Sequence, residues 1–86
     1  MIVHSLFSKA IMVVVLAARL TKTLTGSNRT YKHLQDLENE LTRPQVSRLY
    51  CHTSAPAALH QVARAKFGMH MGTKVVVIAQ QLRYKR

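Results

Sequence analysis

Residues 10–18 read Ala-Ile-Met-Val-Val-Val-Leu-Ala-Ala and lie between Lys9 and Arg19. How this run folds decides the fold of the chain. Three consecutive β-branched valines favour a pleated backbone, which admits a buried first strand. The run is too short to cross a membrane. As a helix it spans roughly 14 Å at about 1.5 Å per residue, against a hydrocarbon core of about 30 Å. Extending it back to Ile2 places His4 and Lys9 in the bilayer, where a central Lys costs about 2.5–3.5 kcal/mol.

Outward from the run, residues 1–35 contain no acid. They carry Lys9, Arg19, Lys22, Arg29 and Lys32 among seven hydroxyl residues, from Ser5 to Thr30. That composition admits three roles besides a strand. A secretory signal needs a short apolar stretch behind a basic start. A mitochondrial presequence is basic, hydroxylated and poor in acids. A membrane-surface segment pairs an apolar face with flanking cations. Residues 1–31 are therefore set apart as a basic segment, and residues 32–86 as a small folded unit with a basic tail.

The second apolar run lies at the other end. Val13-Val-Val-Leu-Ala-Ala-Arg-Leu20 echoes Val75-Val-Val-Ile-Ala-Gln-Gln-Leu82, with five of eight positions identical. An unbroken run such as Val75–Ile78 reads as a strand buried on both faces, over about residues 73–79. Gly68-Met-His-Met-Gly72 before it reads as a turn.

Two helices are expected between the runs. Tyr31, Leu34, Leu37 and Leu41 recur at three- and four-residue steps, giving a helix over about 30–43 that Pro44 stops. Leu59, Val62, Ala63 and Phe67 give a second, over about 55–67. Ser54 would cap it, Pro56 fits its first turn, and Gly68 would end it in the left-handed region. The sequence thus predicts a small α+β fold, with the helices covering two paired strands in a β-α-α-β unit. Two strands are marginal alone, so such a unit would lean on a partner.

The charge bounds the function. Thirteen Lys and Arg face three acids, for a net charge of +10, and the acids Asp36, Glu38 and Glu40 fall within five residues. A chain so basic attracts anions: nucleic acid or anionic lipid. Leu, Ile, Val and Phe make up 24 of 86 residues, which is more than disordered chains carry, so an ordered core is expected. One cysteine, Cys51, excludes an internal disulfide framework.

No enzyme is expected. The three acids crowd one helix rather than forming a separated acid/base pair. Neither a nucleophilic triad nor a metal-protease or phosphate-loop motif occurs. Cys51-His52 and Met69-His70-Met71 are adjacent soft donors, but neighbours in a turn rarely converge on one ion. No cofactor, metal site or small-molecule substrate is inferred. Arg48, Arg64, Lys66, Lys74, Arg83, Lys85 and Arg86 are the candidate contacts for RNA or another anion, with Tyr50 and Tyr84 available for stacking.

Arg29-Thr30-Tyr31 and Arg48-Leu49-Tyr50 each place Arg two residues before an aromatic. This resembles the arginine-guided cleavage site of mitochondrial matrix precursors. The resemblance covers a targeting signal and implies processing after Tyr31 or Tyr50. Cleavage after Tyr50 would put all three acids in the presequence and leave too little chain for a core. Cleavage after Tyr31 avoids both difficulties.

The function expected from sequence is a small, basic, non-enzymatic mitochondrial accessory protein, RNA-contacting or structural, within a larger assembly. The alternatives are a peripheral membrane protein using its N-terminal apolar segment, and a short reading-frame product without an evolved activity.

Overall fold

The computed structural model describes residues 6–25 and 28–82. They form five α-helices and one π-helical turn: α1 (Leu6–Leu20), the π turn (Thr21–Thr25), α2 (Asn28–Leu41), α3 (Pro44–Leu49), α4 (Ala55–Phe67) and α5 (Met69–Leu82). No strand occurs among the described residues. The α+β expectation is therefore wrong, and so is its C-terminal strand at 73–79. The β-α-α-β pairing falls with it.

Both apolar runs are helical, and burial explains why. On α1 the buried residues are Ala10, Val14, Ala17 and Ala18, followed by Thr21 in the π turn. On α5 they are Gly72, Val75, Val76, Ala79 and Leu82. Both sets have helical spacing, not alternation. Valine in a helix costs only up to about 0.7 kcal/mol relative to alanine. Burying one Val side chain is worth about 1.5–3 kcal/mol, and a helix meets its own backbone hydrogen bonds without a distant strand. Packing therefore overrides the β preference.

The echo between the runs marks one shared packing register. Val14 and Val76 are fully buried, as are Ala17 and Ala79. Ala10 occupies the place that Gly72 has in α5, and both are buried. The two helices thus use the same small-residue stripe.

The core is a single cluster. Leu34, Leu37 and Leu41 of α2 and Leu59, Val62, Ala58 and Ala63 of α4 close on the stripes of α1 and α5. Its large buried side chains are leucine and valine, and the rest of the cluster is alanine. Small residues let backbones approach, most closely at Gly72. A Cβ placed there would meet the Ala63 carbonyl oxygen at 2.6 Å and the Arg64 Cα at 2.7 Å. The radius of gyration, 12.0 Å, matches the roughly 12 Å expected of one folded unit this long.

The helix expected at 30–43 is α2, and its leucine stripe is buried. Pro44 lies beyond its end and opens α3, with Pro in the first turn. The sequence expectation lacks that short helix, because a proline after a leucine stripe marks a stop as readily as a first turn. The helix expected at 55–67 is α4, with Pro56 in its first turn. The Ala57 N–H donates to Ser54 Oγ at 3.4 Å. Gly68 ends α4 at φ 92°, as expected for the sign of φ, but with ψ 165° it lies outside the left-handed helical well. Its N–H donates to Arg64 O, and its carbonyl accepts from Gly72 N–H at 2.8 Å. Residues 69–72, read as a turn, are the first turn of α5.

At the end of α1 the Thr21 hydroxyl donates to Ala17 O at 2.8 Å, and the Thr23 hydroxyl to Arg19 O at 3.0 Å. Such back-bonding loosens the α ladder, and here the helix widens into its π turn.

Candidate anion-binding surface

Of the cations singled out from sequence, Arg48 sits exposed on α3, Arg64 and Lys66 on the last turn of α4, and Lys74 on α5. The Arg64 Nε donates to Thr73 Oγ1 at 3.3 Å, which ties Arg64 to α5 beside Lys74. Lys66 is two residues further along α4, about 200° round the helix, and points elsewhere. Arg48 lies beside an open depression lined by Gln45 and Leu49. These four do not converge. Arg83, Lys85 and Arg86, with Tyr84, lie outside the described residues.

One cation outside that set reaches across elements. Lys22, in the π turn, places its Nζ over the Tyr31 ring at 5.5 Å from the centroid. Tyr31 is half-buried on α2, where it packs against the core. The contact folds the cationic end of α1 onto the start of α2. Arg19 lies three residues before Lys22, whereas Arg29 is about 200° and Lys32 about 100° round α2 from Tyr31, so neither shares the face of the Lys22 contact. All four cations are exposed. None of these four is among the anion contacts expected from sequence, where residues 1–31 stand as a targeting, membrane-surface or strand segment and Arg29 belongs to a processing motif. The Lys22–Tyr31 contact spans nine residues and joins two elements, so no fixed spacing signals it.

The acids occupy the far half of the same helix. Asp36, Glu38 and Glu40 are half-exposed along α2. Glu40 pairs with Arg43 at 3.3 Å, the ion pair found among the described residues. Helix α2 therefore carries Arg29 in its first turn and Glu38 and Glu40 in its last. Both placements oppose the helix dipole, which favours anions at the N-terminus and cations at the C-terminus.

The proposed processing motifs sit in different settings. Arg29-Thr30-Tyr31 is inside α2. Arg48 and Leu49 end α3, with Leu49 73% exposed, and Tyr50 begins the non-helical link to α4.

Little else offers chemistry. No three His, Cys, Asp or Glu side chains gather to hold a metal among the described residues. The cavity between α2 and α5, lined by Thr30, His33, Leu34, Val75 and Ile78, has about 10 Å³, room for one water at most. His33 meets Phe67 edge-on at 5.5 Å, which closes α2 on the end of α4. The His60 Nδ1 is buried without a hydrogen-bond partner. Cys51 is a half-buried free thiol. No described helix is long and apolar enough to cross a membrane.

Comparison of the chain with known protein families, with characterised proteins and with solved structures gives no match.

Proposed function

We propose that this chain is a small, non-enzymatic basic protein that binds a polyanion, with RNA the favoured partner, as an accessory component of a larger assembly. One observation carries the reading. The acids are confined to residues 36–40 of one helix, so the rest of the described surface is cationic or neutral. Cations on such a surface have few internal partners and release counterions when they meet phosphates. The direct test is binding of the full chain to single-stranded RNA across a salt series. Affinity that falls steeply with salt supports the reading. No binding at about 50 mM salt refutes it.

The mitochondrial proposal is kept in a narrower form. Processing after Tyr31 would cut α2 in its first turn and discard α1 with Ala10, Val14, Ala17 and Ala18, which are core residues. An organellar role is therefore proposed with α1 retained. The N-terminus of the protein isolated from mitochondria tests it, and a start at Lys32 refutes it.

Membrane-surface contact is the second reading. Its support is the outer face of α1, where Met12 is 57% and Leu16 36% exposed between Lys9 and Arg19. Two apolar side chains are a small anchor, and the reading ranks below RNA for that reason.

A further inference from the structure

We infer that the outer face of α1 is a contact for an anionic lipid surface. The helix lies flat on it, with Met12 and Leu16 in the headgroup boundary and Lys9 and Arg19 at the lipid phosphates. This rests on the membrane-surface reading above and deepens it, and the RNA reading of the other cations stands apart from it.

The two echoing helices supply the first argument. Both bury the same register: Ala10, Val14 and Ala17 in α1, and Gly72, Val76 and Ala79 in α5. Their outward faces are therefore comparable. Residues 73–82 of α5 expose Lys74, Val77 and Gln81, one valine between polar side chains. The matching residues 11–20 of α1 expose Met12, Leu16 and Arg19. Two longer apolar side chains thus stand where α5 has one valine. The core does not hold them: both lie outside the buried cluster and the half-buried side chains packed on it.

The charges around them say what covers the face. Lys9, Met12, Leu16 and Arg19 are all exposed and fall within about 80° of arc round α1, at about 100° per residue. The two cations end the line, roughly 15 Å apart along the axis. Residues 1–35 contain no acid, and neither cation forms an ion pair among the described residues. A surface that fits this line must offer anions at both ends and an apolar layer between. An anionic bilayer does so at any point: long cationic side chains stay level with the phosphates while apolar ones sink below them. A nucleic acid offers phosphates but nothing to Met12 and Leu16, which are not aromatic and stack no base. A second copy is opposed by charge. Antiparallel pairing that sets Met12 against Leu16 also sets Lys9 against Arg19, and parallel pairing sets each cation against itself.

Two apolar side chains are a small anchor, so the contact is reversible and needs both parts of the line. Full-length variants separate the parts. Met12→Gln with Leu16→Gln removes the apolar side chains and keeps both the charge and the helix propensity. Lys9→Gln with Arg19→Gln removes the cations. Arg64→Gln with Lys74→Gln is the control, with the same charge loss on α4 and α5. Each is titrated by flotation with phosphatidylserine-containing and with pure phosphatidylcholine vesicles, at about 100 mM salt and above. The unmodified chain binds the anionic vesicles and not the neutral ones. Each cation at an anionic surface is worth about fivefold in affinity, so the cation variant binds about 25-fold more weakly, with a shallower salt dependence. The apolar variant binds at least about tenfold more weakly with its salt dependence kept. The control falls by less than about fivefold. The two α1 variants change different side chains, so a folding defect in one, seen by circular dichroism, leaves the other to decide.

Anionic-vesicle binding that neither α1 variant weakens more than the control would leave this face to a protein partner and overturn the proposal while the membrane reading stands. Absence of binding by the unmodified chain would overturn both. With vesicle binding unchanged, a dimer that the apolar variant abolishes in sedimentation would assign the face to a second copy. RNA binding lost in that variant, again with vesicle binding unchanged, would assign it to nucleic acid. Either result overturns the proposal.

Discussion

Gly72→Ala tests the close approach of α4 and α5. In an ordinary helix interior the change stabilises by about 1 kcal/mol, because Gly is the poorer helix former. Here the sign should reverse. The new Cβ would lie 2.6 Å from the Ala63 carbonyl oxygen, 2.7 Å from its carbon and 2.7 Å from the Arg64 Cα. Comfortable carbon contacts lie at about 3.5–4.0 Å, so the helices must part by about 1 Å. All three atoms are backbone, and no rotamer change relieves them. Overpacking of this kind costs about 1–3 kcal/mol, and parting the seam also loosens buried Val76 and Ala79. The net expectation is a loss of about 1–2 kcal/mol, after the propensity gain. For a domain this size each kcal/mol lowers Tm by about 4–8 °C, so thermal denaturation followed by circular dichroism resolves it. Gly68→Ala is the control: its Cβ meets nothing within 4 Å, but φ is 92°. It should destabilise through backbone strain alone, by about 1–3 kcal/mol, because positive φ with extended ψ is a region that side chains other than glycine's all but exclude. A rise in Tm for Gly72→Ala would refute the packing of α4 on α5. A melt without cooperativity in the unmodified chain would favour a product without an evolved fold.

Two further outcomes follow from local geometry. Within residues 28–82, limited trypsin digestion should cut first after Arg48, because α3 is six residues long, Leu49 is 73% exposed and the link from Tyr50 to Ser54 is not helical; Arg43 is shielded by the following Pro44, and a first cut inside α2, α4 or α5 would contradict the fold. Arg29→Glu should stabilise by about 0.3–1 kcal/mol, since it puts an anion in the first turn of α2, whereas Arg64→Glu, the same change of charge in the last turn of α4, should destabilise by a similar amount; denaturant melts that shift both variants alike would show that net charge, and not position, decides.

Much of the helical middle was readable. The leucine stripe of α2 and the Ser54, Pro56 and Gly68 signals of α4 are local and act on a single element. The two ends were misread because their stripes are built from small residues. Ala10, Ala17, Ala18, Gly72 and Ala79 are buried but weakly hydrophobic, so the adjoining valines dominated the pattern. Valine triplets fit a pleated strand locally, and only the opposing helices decide otherwise. Helix α3 was missed because a proline that ends one helix can begin the next. The charged surface was legible in sum but not in place. Net charge fixes how many cations need partners, while the Lys22–Tyr31 contact, which brings one of them onto α2, depends on tertiary packing.

The acid-free stretch that invites a targeting interpretation has a structural counterpart. Its boundary, between Gln35 and Asp36, falls in the middle of α2 rather than between two elements. The division is thus a property of one helix, cationic at its start and acidic at its end. Helix stability would place these charges the other way round. Burial of Leu34, Leu37 and Leu41 is large enough to tolerate the misplacement, at about 1.5–3 kcal/mol for each side chain against tenths for each charge. A charge order that lowers the stability of its own helix is expected where another demand acts on the surface. A removable leader would account for cations in residues 1–31, but it does not require that segment to complete the core. Ala10, Val14, Ala17 and Ala18 tie α1 to the rest of the core, so its burial answers to the fold whatever the cations at its end meet.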